Sequence, residues 1–181
     1  MLRWLMRRRI AAFERSFDYS MDYVREMLEV SPRAVRLYGG ITALTNYRRD
    51  VSLAAFCAAQ LVAVKAEDCG PCTQLGVTMA ERAGVPPAQL RAVLAGDLGA
   101  MSPDVALAYR FAEAVLAHDP AADTLRDEVV ARWSKHALVS LALGIAGVRV
   151  FPTVKYALGH GQACTRVMIG GSPVPVLRRA A

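Results

Sequence analysis

The segment SLAAFCAAQLVAVKAEDCGPC, residues 52–72, decides the fold of this chain. Apolar side chains recur at three- and four-residue spacing through its first two thirds, and alanine fills many of the other positions. This spacing is typical of an α-helix. Cys69 and Cys72 follow, separated by Gly70-Pro71, and a proline there fits the first turn of a new helix. The segment therefore predicts two consecutive helices, with a cysteine pair at the start of the second.

Helical signals continue on both sides of this segment. Ser31-Pro32 and Ser102-Pro103 each combine an N-cap residue with a proline at the first helical position. Gly84 is placed to end the helix that begins near the cysteine pair. Residues 137–150 are apolar on nearly every side, so we expect them to form the central buried helix. No alternation of apolar and polar residues is long enough to predict a strand. We predict one all-α domain.

Length and composition agree with a folded domain. The 181 residues are 54% hydrophobic and 21% charged, which excludes a disordered or fibrous chain. The longest apolar run is shorter than the ~18 residues that span a bilayer. The N-terminus lacks the apolar region of a secretory signal, and we expect a cytoplasmic protein. We divide the chain into an N-terminal arm at 1–12, a helical domain at 13–165 and a C-terminal tail at 166–181.

The net charge of +6 is concentrated at the two ends of the chain. Four arginines precede residue 13 and two follow residue 177, whereas the body carries equal numbers of basic and acidic side chains. A nucleic-acid-binding domain would show a basic face on its folded body, so we expect no nucleic-acid partner. The arm at 1–12 is amphipathic. We expect it to pack on a neighbouring helix or subunit rather than on a membrane, and we therefore expect a homo-oligomer.

The cysteine pair carries the chemistry. Two cysteines three residues apart at a helix start can form a disulfide, and the helix dipole there favours thiolate. Glu67 and Asp68 oppose thiolate, so the sequence does not give the sign of the net pKa shift. A zinc site needs two further ligands at suitable spacing, and the remaining cysteines and histidines do not supply that spacing. We interpret Cys69 and Cys72 as a redox pair and expect no metal and no other cofactor; two plain buried cysteines are the alternative.

A helix, then a CxxC at the start of the next helix, then the turn Ala83-Gly84-Val85-Pro86, resembles the AhpD-like/carboxymuconolactone decarboxylase superfamily. The resemblance extends over residues 48–164 and includes the helix at 109–116 and the motif Phe151-Pro152-Thr153-Val154-Lys155. It implies an all-α, AhpD-like helical fold and an oligomer. It also implies antioxidant alkylhydroperoxidase activity, in which the cysteine pair reduces a hydroperoxide and is then reduced by a dithiol partner. The branch of this family that processes lactones lacks the cysteine pair, so the pair argues against decarboxylase activity.

The sequence departs from that family at two positions. Peroxidase members carry a histidine four residues after the second cysteine and a glutamate twelve residues before the first, which together form a proton relay. Gly76 and Cys57 occupy these positions here. By the resemblance Cys72 is the attacking thiol, but without the relay a more solvent-facing Cys69 takes that role, as in thioredoxin-type chemistry. The sequence leaves this choice open and predicts weak or altered peroxidase activity.

Two further residues are auxiliary candidates. His160, flanked by glycines, is either a proton donor or a solvated loop residue, and Cys164 is either a surface thiol or a third redox partner. Cys57 is either a small buried hydrophobe or a relay of the disulfide.

The sequence thus favours the hypothesis of a thiol-disulfide oxidoreductase. Its substrate would be a hydroperoxide or a disulfide, and its reductant a dithiol protein or a small thiol. One alternative is a non-catalytic helical oligomer whose cysteines are structural or regulatory. The other is a thioredoxin fold with a helical insertion, in which Pro152-Thr153 would face the disulfide.

Overall fold

The computed structural model describes residues 2–162 and 166–175, except the side chains of Arg166 and Pro175. Within these residues the chain forms nine α-helices, one short 3-10 helix at Leu98–Ala100 and one β-hairpin. The α-helices are α1 (Leu2–Phe17), α2 (Asp22–Val30), α3 (Pro32–Thr45), α4 (Leu53–Ala66), α5 (Gly70–Arg82), α6 (Pro87–Ala95), α7 (Pro103–Ala117), α8 (Ala121–Arg132) and α9 (Lys135–Ala157). The hairpin consists of β1 (Arg166–Ile169) and β2 (Ser172–Pro175). The predicted all-α class is confirmed.

Local sequence signals set several helix boundaries. The hydroxyl of Ser31 accepts a hydrogen bond from the backbone N–H of Ala34 at the start of α3. Ser52 does the same for Ala55 at the start of α4. Such caps satisfy N–H groups that have no partner inside the helix. Gly84 follows α5 with a φ of +93°, a left-handed conformation that glycine adopts without strain. The boundaries at Ser31 and Gly84 follow the predicted signals, and Ser102-Pro103 stands at the start of α7 as predicted, but the Ser102 side chain makes no capping hydrogen bond.

Helix α4 takes the central position. It contacts α5, α6, α7 and α9. Its buried residues are distributed all around its circumference: Ala55, Phe56, Ala58, Ala59, Leu61, Val62, Ala63 and Val64. We predicted that residues 137–150 would be the central helix, and this is wrong. Those residues belong to α9, which buries one side and exposes Val139 on the other, because small residues such as Gly144 and Gly147 let that side pack closely on its neighbours.

The N-terminal helices form a second, smaller apolar cluster. Its buried members are Ile10, Tyr19, Tyr23, Val24 and Leu28. Side chains from α5 and α9 pack against this cluster, which joins it to the rest of the domain. The boundary between the predicted arm and the domain falls inside α1, and the loop between α1 and α2 contains Asp18 with a φ of +48°.

The hairpin lies in the predicted C-terminal tail. Its strands pair antiparallel around Gly170-Gly171, both of which have positive φ, and it packs on α5 and α6. Val167 and Ile169 are fully or almost fully buried. The expectation of no strand is wrong here, because four-residue strands with two prolines give too short an alternation to recognise.

The thioredoxin alternative does not fit this architecture. Residues 2–68, which precede the cysteine pair, contain no strand, whereas a thioredoxin fold requires strands there. Pro152 lies inside α9 rather than in a loop facing the disulfide. The resemblance of the short motifs to thioredoxin is therefore local.

One helix, α9, is long and apolar enough to cross a membrane by length and composition. The run that we counted in the sequence was shorter because it stopped before the charged Arg149. Helix α9 also packs on α3, α4 and α8. The core helix of a soluble domain can have the same length and composition, so these two properties of α9 are weak evidence for a membrane span. The cytoplasmic location stays a prediction.

Candidate functional site

Cys69 and Cys72 form a disulfide at the start of α5, with their Cα atoms 5.3 Å apart. Cys69 is the N-cap residue and Cys72 lies in the first turn, with Pro71 between them. Helix α5 packs against α4. The predicted position of the pair at a helix start is confirmed.

The backbone around Cys69 is held from two directions. Its carbonyl accepts hydrogen bonds from the N–H and the hydroxyl of Thr73, at 2.9 and 3.0 Å, and Thr73 is fully buried. The N–H of Gly70 donates to the carbonyl of Gln162 at 2.9 Å. Since these contacts come from both the following helix turn and the segment after α9, the first turn of α5 is fixed.

The charge balance beside the pair differs from the sequence expectation. The guanidinium of Arg149 on α9 pairs with the carboxylate of Glu67. This partner offsets the negative charge that we expected to oppose thiolate. Glu67 therefore works against a thiolate at the pair less than the sequence suggests.

The two cysteines differ in what they face. Cys69 is 0% exposed, whereas Cys72 is 6% exposed. The suggestion that Cys69 is the more solvent-facing thiol is wrong, because Cys69, at the N-cap of α5, belongs to the buried core. Cys72 lines an open cavity of about 690 Å³ between the two apolar clusters. Most of the lining side chains are apolar, among them Ile10, Phe13, Val24, Val35, Phe56, Leu61, Val64, Leu75 and Phe151.

The two positions where the family resemblance places a relay also line this cavity. Cys57 is half-buried, and burial raises the pKa of its thiol to about 11. Gly76 packs so closely on α4 that an added Cβ would lie 3.2 Å from Cδ2 of Leu61. Neither residue supplies the carboxylate or the imidazole of that relay, since glycine has no side chain and the Cys57 thiol stays protonated at neutral pH.

A different pair of polar side chains approaches the disulfide. The hydroxyl of Tyr19, in the loop between α1 and α2, lies 3.7 Å from Sγ of Cys72. Because a disulfide sulfur carries no hydrogen, the hydroxyl is the donor. The ammonium of Lys155 on α9 donates to the Tyr19 hydroxyl at 3.4 Å and lies 4.7 Å from the centre of its ring. The Tyr19 hydroxyl is therefore in contact with both the Lys155 ammonium and the Cys72 sulfur.

Lys155 is unusual because it is only 5% exposed. Burial lowers the pKa of its ammonium group, since a charge loses hydration inside a protein. The faces of Tyr19 and Tyr23 offset part of that loss by cation–π contact. Asp22 at the start of α2 acts in the opposite direction and favours the charged form.

Further hydroxyls continue the polar cluster. Tyr38 donates to the hydroxyl of Tyr23 at 3.1 Å, and Tyr23 is hydrogen-bonded in turn to Tyr19. Burial raises the pKa of all three phenols above the ordinary tyrosine value. They therefore remain protonated at neutral pH, as hydrogen-bond donors.

A second cavity, of about 420 Å³, lies on the other side of Tyr19. Its lining is more polar and includes Asp22, Lys155 and His160, with Pro71 at the edge of the disulfide. The imidazole of His160 lies 2.8 Å from a carboxylate oxygen of Glu26. His160 is thus held in the wall of this second cavity, on the Lys155 side of Tyr19.

Sequence reasoning did not find Tyr19 and Lys155 as site residues. The available signals were a lysine near the end of a long apolar helix and two tyrosines four residues apart. Neither signal indicates proximity to a cysteine pair some fifty or eighty residues away along the chain. The remaining candidate, Cys164, lies outside the described residues. Within residues 2–162 and 166–175, no group of three metal-binding side chains is close enough to hold a metal ion.

No protein-family model, no curated protein and no solved structure shows a significant match to this chain. The AhpD-like resemblance therefore stays an expectation that rests on the cysteine pair and the surrounding motifs.

Proposed function

We propose that this protein is a thiol-disulfide oxidoreductase of the alkylhydroperoxidase-like type, in which Cys72 is the attacking thiol and Cys69 the resolving thiol. The observation that carries the proposal is the asymmetry of the pair. Cys72 lies at the wall of a large cavity and within reach of a hydroxyl donor, whereas Cys69 is fully buried next to it. A nucleophile needs access to its substrate, and a resolving thiol needs access only to the nucleophile.

The chemistry proceeds from the reduced dithiol. The thiolate of Cys72 attacks the distal oxygen of a hydroperoxide, the O–O bond breaks, and Cys72 becomes a sulfenic acid while an alkoxide leaves. The thiol of Cys69 then attacks the Cys72 sulfur, which forms the disulfide and releases water. A dithiol protein or a small thiol regenerates the pair by exchange. A disulfide substrate would be reduced at the same sulfur.

The redox part of this proposal is tested by titration of the pair. Mass spectrometry after thiol alkylation, in glutathione buffers of stepped potential, should give one two-electron transition within roughly −270 to −120 mV, the range of known dithiol catalysts. Purified protein in which the pair cannot be reduced in this range, or in which it binds stoichiometric zinc, would contradict the proposal. A helical module with structural cysteines would give that first result.

The apolar cavity supports an apolar substrate. A cavity of this size accommodates an extended hydrocarbon group, with the reactive end at Cys72 and the chain among the side chains of α2, α3 and α4. Each methylene that becomes buried contributes about 0.8 kcal/mol, which corresponds to roughly a fourfold gain in kcat/KM. We therefore expect kcat/KM to rise with the chain length of a primary alkyl hydroperoxide until the cavity is full.

Gly76→Leu provides the matched test, since it fills part of the cavity next to α4 and leaves both cysteines in place. It should reduce the dependence of kcat/KM on chain length while leaving the rate with the shortest hydroperoxide within about threefold. Val139→Leu, on the exposed side of α9, is the control. Equal kcat/KM for short and long hydroperoxides in the unmodified protein would contradict an apolar substrate.

The homo-oligomer remains part of the proposal. Leu2, Trp4 and Leu5 are exposed within two turns of α1, and neighbouring exposed apolar side chains of this size are typical of subunit contacts. Light scattering at micromolar concentration should give a mass of at least twice that of one chain. The mass of a single chain, 19.6 kDa, would contradict this expectation.

A further inference from the structure

We propose that Tyr19 is the catalytic acid of this site and that Lys155 positions its hydroxyl and stabilises the phenolate that forms when the proton leaves. The inference rests on the proposed oxidoreductase function and goes beyond it, because it assigns the proton that the leaving group needs. The family resemblance offers no such group here, since Cys57 and Gly76 occupy the relay positions.

The Tyr19 hydroxyl lies close to the sulfur that would receive the oxygen atom. The Tyr19 hydroxyl is 3.7 Å from Sγ of Cys72, and an oxygen that is being transferred to that sulfur would have the same hydroxyl beside it. Burial keeps the phenol protonated, so it is present as a donor when the alkoxide leaves. A positioned donor of this kind contributes about 10²–10⁴-fold to a proton transfer step.

Lys155 stabilises the negative charge that the proton transfer leaves on Tyr19. When Tyr19 gives its proton to the alkoxide, an alcohol leaves and a phenolate remains in a buried site. Lys155 donates to that same oxygen at 3.4 Å and is itself buried, so its ammonium group stabilises the phenolate with little screening by water. Tyr23 from α2 adds a further hydrogen-bond partner, and Asp22 helps to keep Lys155 charged.

Tyr19 lies between two cavities. Tyr19 and Tyr23 line both the apolar cavity, which contains Cys72, and the polar cavity, which contains Lys155 and Asp22. The phenolate of Tyr19 can thus recover a proton from water in the polar cavity without water entering the apolar one. The balanced sum is one thiolate, one thiol, one hydroperoxide and one proton, giving a disulfide, an alcohol and water.

The test compares two reactions of the reduced protein that differ in the need for a proton. An alkyl hydroperoxide releases an alkoxide, which must be protonated, whereas 5,5′-dithiobis(2-nitrobenzoate) releases a stable aromatic thiolate. In single-turnover kinetics, with each rate divided by the fraction of Cys72 present as thiolate at that pH, Tyr19→Phe should slow the hydroperoxide reaction by about 10²-fold and the aromatic disulfide reaction by less than about threefold. Tyr109→Phe is the matched control, because Tyr109 and Tyr19 are both 7% exposed and Tyr109 lies on α7, outside the lining of either cavity.

Lys155 is tested by its two replacements and by a pH profile. Lys155→Met should slow the hydroperoxide reaction by about tenfold or more, and Lys155→Arg, which retains the charge, should recover part of that loss. In a Cys69→Ser background, the pH dependence of Cys72 alkylation by iodoacetamide gives the pKa of Cys72. Tyr19→Phe and Lys155→Met should both raise that pKa, because the thiolate loses a donor or a nearby positive charge.

The outcomes separate the two proposals. If the unmodified protein reacts with neither substrate, the oxidoreductase proposal fails and this inference fails with it. If it reacts with both substrates, and Tyr19→Phe slows both equally or slows neither, the oxidoreductase proposal stands and Tyr19 is not the acid. If Lys155→Arg is as slow as Lys155→Met and the pKa of Cys72 does not change, Lys155 has only a structural role.

Discussion

The wall of the apolar cavity formed by α4 and α5 differs in chemistry from the side on which Tyr19 lies. On the first wall, Cys57 and Gly76 stand at the positions where the resemblance expects a glutamate and a histidine. On the other side, Tyr19 connects the disulfide to the buried ammonium of Lys155. Cys72 lines the cavity between the two sides, and the hydroxyl within reach of its sulfur comes from the second side.

The difference shows how a site can keep its nucleophile and change the origin of its acid. The first wall is built by two helices adjacent in sequence, whose facing side chains are small or apolar and pack closely. The second side brings together the loop after α1 and the end of α9, which are far apart in the chain. A proton donor supplied from there leaves the packing of α4 on α5 undisturbed.

The largest expected effect concerns the nucleophile itself. Cys72→Ser should abolish the reaction with hydroperoxide, by at least about 10³-fold in single-turnover rate. Cys69→Ser should stop repeated turnover but leave the first oxidation of Cys72 within about tenfold, with the sulfenic acid trapped by dimedone and detected by mass spectrometry. A Cys69→Ser protein that forms no sulfenic acid, paired with a Cys72→Ser protein that does, would reverse the assignment of the two cysteines.

The next effect concerns the reactivity of the first wall. With a pKa of about 11, the Cys57 thiol is ionised about one part in a thousand at pH 8, against about a quarter for an unperturbed thiol. In oxidised Cys164→Ser protein, iodoacetamide should therefore alkylate Cys57 about 10²-fold more slowly than in the same protein unfolded in urea. Rapid alkylation of the folded protein would mean that Cys57 is ionised and that the first wall also carries a reactive group.

Transfer of a relay to the first wall should give a smaller gain. Gly76→His together with Cys57→Glu should raise the peroxidase turnover by at least about tenfold. The gain requires Leu61 to move by a few tenths of an ångström, because an added Cβ at residue 76 lies 3.2 Å from its Cδ2. The same pair of substitutions in a Tyr19→Phe background provides the sharper comparison, since the new relay then acts alone. If turnover does not increase in either background, side chains at residues 57 and 76 do not form a proton relay to Cys72.

The smallest effect is a pH dependence of stability on the second side. Burial lowers the pKa of Lys155 in the folded protein, so between that value and about 10.4 the unfolded chain binds more protons at this residue. The free energy of unfolding should therefore rise with pH in the unmodified protein relative to Lys155→Met. The relative gain is complete only above the ordinary lysine value.

Urea midpoints of the two proteins at pH 7 and pH 10 give this difference, and contributions from Cys57 and the tyrosines cancel between them. Lys135→Met, at the exposed start of the same helix, is the matched control. A difference between Lys155→Met and the unmodified protein that is constant from pH 7 to pH 10 would contradict the lowered pKa.

The sequence predicted the helical half of this site well. The spacing of apolar residues, the serine caps and the proline after Cys69 are local signals, and local signals predict where a helix starts. The same reasoning predicted that residues 137–150, in α9, would form the central helix, whereas α4 takes that position. An apolar surface all around a helix fits α4 and α9 equally, and only the packing of the other helices decides which of them is enclosed.

Helix periodicity, capping and the CxxC spacing were sufficient to predict an all-α domain with a cysteine pair at a helix start, because each of these signals acts within a few residues. The tertiary structure alone decided which cysteine meets a cavity and which side chain stands beside it. Tyr19 and Lys155 are separated by 136 residues and meet only because α9 packs on the N-terminal cluster. A buried lysine next to a tyrosine becomes a proton-donating pair through low screening and close distance, and neither property is encoded in the neighbouring sequence.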